Sequence, residues 1–172
     1  MINFITLPDT IHSYQGADAT SIDGNFTTGY YYHASGSNNS SMVAYSAHTF
    51  TAPRRILEVR YRLFYYGVST ANYDHHLSLN WSVDYQLNGD STWYTIPGTQ
   101  VSYNAGNNGD PGNDHSNDSG NITLAVDIQN VKAIRGYVSG DNGGNNSPDG
   151  QLNANIYEIQ AYGNIGGFAI VI

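Results

Sequence analysis

The chain has 172 residues, of which 40% are hydrophobic and 12% charged, with a formal net charge of −8 and no cysteine. This length suits one domain with a proper core, and the lack of cysteine excludes a disulfide framework and a thiolate metal site. The few lysines and arginines form no extended basic face, so we do not expect nucleic-acid binding.

The composition is typical of a β-rich, loop-rich protein, with 15 tyrosines and 19 glycines. No apolar run approaches the roughly 20 residues of a membrane span. The first residues, Met1 to Ile5, lack the basic and apolar regions of a signal peptide. We therefore expect an extracellular or virion-surface protein without a visible signal peptide.

The predicted elements are short strands separated by polar loops. In chain order, strand character is predicted for Gly29–His33 (an aromatic run), Met42–Phe50, Ile56–Tyr66, Leu77–Leu87, Thr92–Ile96, Ile122–Ile128, Val131–Val138 and Ala154–Tyr162. The stretches 104–121 and 139–150 are rich in Gly, Asn and Asp and are predicted to be surface loops.

The segment Leu77–Gly98 is the strongest structural signal in the chain. Apolar residues occupy every second position from Leu77 to Leu87, and polar residues such as Asp84 fall between them, which predicts one buried and one solvated face. A turn and a second β-rich segment follow, so a hairpin is predicted, with Trp81 and Trp93 in the core.

These elements predict an all-β protein, an antiparallel β-sandwich of the jelly-roll type formed by residues 1–163. Residues 164–172 are expected to form a glycine-linked apolar tail. In this tail Phe168, Ile170 and Ile172 are β-prone and apolar, and exposed they would aggregate. The tail either adds an edge strand to its own domain or adds to a neighbouring subunit.

Three segments, in this order and spacing, resemble the discoidin family, also called the coagulation factor 5/8 type C domain. They are Ala19–Thr28 with its Asp-Gly-Asn loop, the hairpin Asp84–Ile96, and the closing strand Ile156–Gly163. The resemblance covers roughly residues 8–163 and implies a galactose-binding-like jelly roll.

The Asp23 loop is the best candidate for a metal site, since calcium prefers carboxylate, hydroxyl and carbonyl oxygens in a flexible loop. Many members of the resembled family hold a structural calcium there. The ligands expected from this match are Asp23, Thr28 and Glu158 through side chains, and Ile22 and Asn25 through carbonyls. The alternative is that Asp23-Gly24-Asn25 only forms an Asx-type turn.

Tyrosines near the predicted loop ends are candidates for glycan binding, because a flat ring stacks on a sugar while neighbouring polar groups bind its hydroxyls. The candidate residues are Tyr30, Tyr31, Tyr32, Tyr73, His75 and Tyr103. The alternative for the histidine is an ordinary surface position. For Tyr61, Tyr85 and Tyr137 we expect core packing.

No nucleophile elbow, Cys/His pair or zinc-protease motif is present, so we do not expect an enzyme. The sequence predicts a non-enzymatic surface-binding module with a glycan-binding type of fold, serving as a virion subunit such as a phage decoration or tail protein. Its expected partners are glycans, and proteins or further copies through the tail. The alternatives are a secreted carbohydrate-binding module that acts beside polysaccharide-active enzymes and, more distantly, a glycosidase-like enzyme.

Overall fold

The structure, a computed structural model, describes residues 1–35, 41–68, 77–104, 114–141 and 151–164. The described strands are β1 (Ile2–Asn3), β2 (Thr10–Gln15), β3 (Tyr30–Ser35), β4 (Ser41–Val68), β5 (Ser78–Leu87), β6 (Tyr94–Thr95), β7 (Val101–Asn104), β8 (Asp114–Asp118), β9 (Ile122–Asp141) and β10 (Gln151–Gly163). Two 3-10 helices, Phe4–Thr6 and Ala19–Ile22, complete the described part of the chain.

The long strands β4 and β9 each contribute to two layers. The first half of β4 pairs with β2 and with the second half of β9, which in turn pairs with β5. The second half of β4 pairs with β10, β8 and the first half of β9. The register of β4 against β9 shifts between Thr49 and Glu58, where β-bulges bend the two strands.

We call the layer that contains β2 and β5 sheet A, and the layer that contains β8 and β10 sheet B. The two sheets pack face to face, since the Tyr61 ring of sheet B lies 5.9 Å from the Trp81 ring of sheet A, measured between centroids. Gly136 keeps this interface close, because a Cβ atom at its position would lie 3.1 Å from Leu63 Cδ2 of the opposite sheet. The core therefore lies between the sheets, as in a β-sandwich.

Strand alternation sorts residues between the core and the outer faces. Leu77, just before β5, and Leu79, Trp81 and Val83 within it are buried, which confirms the inward face predicted for this part of the hairpin. Tyr85 and Leu87 at the end of the strand are only partly buried. On β4 the bulge changes the pattern, so that Ile56 is buried and Leu57 is only partly buried. Within the predicted strand Ile56–Tyr66, regular alternation of buried and outward residues therefore begins only beyond the bulge, at Val59.

Four expectations about the hairpin and its neighbours are wrong. Trp93 is partly exposed and lies over the Arg135 side chain, and the paired return strand is limited to Tyr94–Thr95. Asp84 is only 3% exposed, because it pairs with Arg135 instead of facing water. Tyr137 lies on the outer face of sheet A and contacts the same arginine.

Several strands end together at one end of the sandwich. There Ser41 is opposite Asp141, Ser78 is opposite both Asp141 and Asn104, and Val68 is opposite Asp114. The pair of β3 and β10 also begins at this end, with Ser35 opposite Gln151. We call it the loop end, since the chain leaves and re-enters the sheets there.

The all-β, antiparallel jelly-roll sandwich predicted from the sequence is confirmed. No helix in the described segments has the length and apolar character required to cross a membrane. The predicted tail, with Phe168, Ile170 and Ile172, lies outside the described residues, and so do residues 105–113 and 142–150 of the two predicted loops. The prediction of a surface loop over 104–121 is wrong for Asp114–Asp118, which forms β8 and pairs with β4, and residues 139–141 belong to the end of β9.

Candidate functional site

The Asp23 loop follows the 3-10 helix Ala19–Ile22 and is closed by its own side chains. Asp23 Oδ1 accepts a hydrogen bond of 2.7 Å from the Asn25 amide, which forms the Asx turn named as an alternative above. Asp23 Oδ2 accepts from the Thr28 hydroxyl at 2.9 Å. Gly24 supports this turn with a positive φ of 84°. The loop thus holds Asp23, Asn25 and Thr28 close together.

Glu158 of β10 joins this loop from the sheet. Its Oε2 accepts a hydrogen bond of 3.1 Å from the Gly24 amide, while its Oε1 is buried and has no hydrogen-bond partner. Burial, with a smaller contribution from the charge of Asp23, raises the pKa of Glu158 to about 7. A buried carboxylate oxygen without a partner beside a second carboxylate is an arrangement that a bound cation would stabilise.

Arg62 fastens the loop to sheet B. It donates to the Phe26 carbonyl at 2.8 Å and makes two hydrogen bonds to Asp118, of 3.0 and 2.6 Å. Its guanidinium also lies 4.4 Å from the centre of the Tyr157 ring. This anchor holds the loop over β10 independently of any ligand. Nothing in the sequence around Arg62 indicated this role.

The structure therefore brings together four of the expected ligands, namely Asp23, Asn25, Thr28 and Glu158, and Ile22 directly precedes them at the end of the 3-10 helix. No group of three or more His, Cys, Asp or Glu side chains arranged for a metal occurs within the described ranges. A cation here would be held by two carboxylates with hydroxyl and carbonyl oxygens. Those are ligands suited to calcium and not to zinc.

The loop end carries a stacked aromatic pair that joins the two sheets. Tyr103 of β7 and His115 of β8 lie 3.9 Å apart between ring centroids at 24°, and the Tyr103 hydroxyl is 2.7 Å from His115 Nε2. Both residues are partly exposed. Beneath them the Tyr65 hydroxyl is buried, and burial together with Tyr103 raises its pKa. The pair is thus a partly exposed contact between the two sheets, held by ring stacking and by the hydrogen bond between the two side chains.

The other predicted glycan-binding residues are placed less completely. Tyr30, Tyr31 and Tyr32 lie in β3, opposite Ile156, Asn155 and Ala154 of β10. The Tyr32 ring is partly buried and packs near Gly16, where a Cβ atom would lie 2.8 Å from it. Tyr73 and His75 lie outside the described residues.

A chain of hydrogen bonds at the edge of sheet A was not foreseen from the sequence. His12 Nδ1 is 2.9 Å from His48 Nδ1, His48 Nε2 is 2.9 Å from Ser46 Oγ, and Ser46 Oγ is 2.7 Å from Ser21 Oγ. Ser21 donates to the carbonyl of Asp18 at 2.8 Å. Only the spacing of His48 within the alternating strand Met42–Phe50 could have indicated that this histidine faces inward.

The Asp18 carbonyl at the end of this series of hydrogen bonds fixes the direction of all of them, because a carbonyl oxygen can only accept. Ser21 must therefore accept from Ser46, and Ser46 must accept from Nε2–H of His48. His48 Nδ1 is then the acceptor for Nδ1–H of His12. Burial, and secondly the neighbouring His12, lowers the pKa of His48 to about 3, so that His48 stays neutral.

Comparison with known proteins gives only weak structural likenesses. No family model matches the chain, and no characterised protein sequence matches it. A pectin-binding carbohydrate-binding module is similar over 89% of each chain, with 16% identity and a TM-score of 0.40. The family 32 carbohydrate-binding module of C. perfringens NanJ, solved with galactose, is similar over 94% of this chain and 98% of that one, with 12% identity and a TM-score of 0.40.

A third similar structure is a truncated AlyQ with CBM32 and alginate lyase domains, at 16% identity and a TM-score of 0.37. The likeness covers 96% of this chain and 35% of that one, so this chain spans about a third of its length. All three TM-scores are low, and the fold described above rests on the strand pairing itself.

Proposed function

We propose that this protein is a non-enzymatic glycan-binding module whose loop end recognises sugars. The observation that carries the proposal is the Tyr103–His115 stack at the end of the sandwich where the strands of both sheets terminate. A preordered aromatic face loses little side-chain entropy on binding and can stack on the C–H face of a sugar. The phenol and imidazole at its rim can exchange hydrogen bonds with sugar hydroxyls.

The proposal of binding without catalysis takes account of the acidic groups at two places in the described part of the chain. Glu158 and Asp23 are held by a backbone amide and by loop side chains on the outer side of sheet B. Asp84 is closed off by an ion pair with Arg135. Neither place leaves two carboxyl groups facing each other across an open cleft, which is the arrangement that glycoside hydrolysis requires.

A test is binding to an array of short glycans by the purified protein and by Tyr103→Ala. We expect the wild-type protein to bind and Tyr103→Ala to lose binding, because the stacking surface is removed. The matched control is Tyr94→Ala, which removes a 39% exposed tyrosine from the opposite end of the sandwich and should bind as the wild type does. A wild-type protein that binds no glycan on the array would contradict the proposed function.

We also propose that the Asp23 loop holds a structural calcium ion, supported by the partnerless Glu158 Oε1. Asp23 and Glu158 would supply the charge, with Thr28 and the carbonyls of Ile22 and Asn25 as further oxygens. The ion would lock the loop onto β10 and take no part in sugar recognition. The virion role and self-assembly through Phe168, Ile170 and Ile172 stay predictions from the sequence.

A further inference from the structure

The outer face of sheet A carries an ordered aromatic cluster away from the loop end. The Arg135 guanidinium lies 4.4 Å from the centre of the Trp93 ring and 4.3 Å from that of Tyr137. Nε and Nη2 of Arg135 each lie 2.9 Å from Asp84 Oδ2, and Thr95 donates to Asp84 Oδ1 at 2.9 Å. The buried ion pair thus fixes the rings above it.

A third ring extends this cluster across the sheet. Tyr45 of β4 is directly opposite Tyr137 of β9, and directly opposed residues of antiparallel strands share a face. Neighbouring strands lie about 4.8 Å apart, so Tyr45 and Tyr137 are adjacent on this face. Trp93 continues the row beyond Tyr137, because both rings contact the Arg135 guanidinium. All three residues are partly exposed, which leaves aromatic surface open to solvent.

Polar side chains flank this row on β5 and β7. Ser82 of β5 is opposite Tyr137, and Asn80 lies two residues before Ser82 on the same face. The Asn80 Oδ1 atom accepts hydrogen bonds from Ser102 at 2.9 Å and from Gln100 at 3.3 Å. The face therefore combines flat rings with amide and hydroxyl groups. Such a combination suits an extended sugar chain better than an apolar protein surface.

The charges of the row and of the whole protein indicate which kind of polysaccharide this face can bind. The single guanidinium in the row is neutralised by Asp84, and the protein as a whole carries a formal charge of −8. A polyanionic chain such as a polyuronate would be repelled and would find no uncompensated cation in the row. A neutral polysaccharide meets no such penalty.

We infer that the outer face of sheet A, through Tyr45, Tyr137 and Trp93, is a second glycan-binding surface that holds a neutral polysaccharide chain. The inference rests on the proposed glycan-binding function and adds a separate site and a ligand class to it. Short glycans bind at the loop end, whereas a polymer also lies across this face.

The experiment is affinity gel electrophoresis in gels that contain xyloglucan, galactan, mixed-linkage β-glucan or polygalacturonate. We expect at least one neutral polymer to retard the wild-type protein, and polygalacturonate not to. Tyr45→Ala and Tyr137→Ala should each weaken this binding about tenfold or more, and both should keep binding short glycans on the array. The Asp84–Arg135 pair is left intact in both variants, and melting curves verify that they fold.

The matched control is Tyr162→Ala, which removes a similar tyrosine–arginine contact, 4.5 Å from Arg60, on the outer face of sheet B. It should be retarded as the wild type is. If Tyr45→Ala and Tyr137→Ala were both retarded as strongly as the wild-type protein, this inference would be overturned and the proposed function would still stand. Retardation by polygalacturonate alone, or by none of the four polymers, would also overturn it. Failure on the glycan array is the separate result that contradicts the proposed function.

Discussion

Gly163 lies at the end of β10, opposite Ile2 of β1, where the backbone of β4 passes close by. A Cβ atom at this position would collide with the Arg55 carbonyl oxygen and would lie 2.5 Å from Phe4 Cε2. The backbone of β4 cannot move aside as a side chain can. The absence of a side chain at Gly163 therefore permits the close approach of the three segments.

For this single residue we expect Gly163→Ala to lower the free energy of unfolding by about 2–3 kcal/mol, the upper part of the range of about 1–3 kcal/mol typical of overpacking, because the contact is with backbone. The control is Gly140→Ala, whose Cβ would meet only the side-chain ends of Leu79, Leu152 and Met42, at 3.0, 3.3 and 3.4 Å. The Gly140→Ala variant should lose less of its free energy of unfolding, because flexible side chains can adjust to the added methyl group. Urea denaturation measures both, and equal losses would contradict the explanation.

Single residues also show where prediction from sequence fails. The alternation of β5 predicted the buried Trp81, because burial there follows from strand geometry alone. The same alternation predicted a solvated Asp84, whereas Arg135 of a strand far away in sequence covers it. Nothing local to Trp93 or Arg135 indicates that they contact each other.

At the scale of elements, the edge strand β2 depends on a pair of histidines. His12 lies opposite His48 in the register of β2 and β4, and His48 is wholly buried and neutral. Its hydrogen bonds continue through Ser46 to Ser21 beside the 3-10 helix Ala19–Ile22. The histidine pair and the serines thus connect β2, β4 and this helix.

We expect acid to weaken this region. The pKa of His48 is about 3 in the folded protein and about 6.5 in the unfolded chain, so below pH 6.5 only the unfolded state takes up the proton. The free energy of unfolding then falls by up to about 1.4 kcal/mol for each pH unit as the pH drops from 6.5 towards 3. Above pH 6.5 this histidine has no effect on the pH dependence.

The measurement is urea denaturation of the wild type and of His48→Gln at pH 7, 6, 5 and 4. The variant should show a shallower loss of stability between pH 6.5 and 4, whatever its stability at pH 7. His115→Gln, which changes a partly exposed histidine at the loop end, should keep the wild-type slope. Parallel slopes for the wild type and His48→Gln would contradict this assignment.

The existence of the long strands was predictable here, whereas the short strands β2, β7 and β8 and the pairing of the strands were not. The alternation in Met42–Phe50 and Ile56–Tyr66 predicted two strands, and the structure joins them into the single strand β4 because the intervening residues stay extended through the bulges. The Asp23 loop and Glu158 were linked from sequence only through the family resemblance. Residue patterns alone gave no sign that Glu158 reaches the Gly24 amide.

At the scale of the whole molecule, calcium should stabilise the entire sandwich. We expect saturating calcium to raise the melting temperature and EDTA to lower it, since a ligand bound only by the folded state stabilises it by about 2.7 kcal/mol at 100 times its Kd. For a chain of this size each kcal/mol corresponds to about 2 to 4 °C. Differential scanning fluorimetry with and without calcium measures the shift.

Asp23→Asn should abolish the response to calcium. Asp90→Asn is the control, because Asp90 also forms an Asx turn, accepting from the Thr92 amide at 2.8 Å, but lies in the hairpin far from Glu158. It should respond as the wild type does. A melting temperature indifferent to both calcium and EDTA would remove the calcium proposal.

Because β4 and β9 pass from one sheet into the other, neither sheet can open without disturbing strands that belong to both. The sandwich is therefore expected to unfold as one cooperative unit. Every ligand that binds only the folded state then shifts the same unfolding equilibrium towards that state. A cation on the outer side of sheet B and a sugar chain on the outer face of sheet A would never touch. Each would nevertheless protect the other's site from unfolding, through the strands that the two layers share.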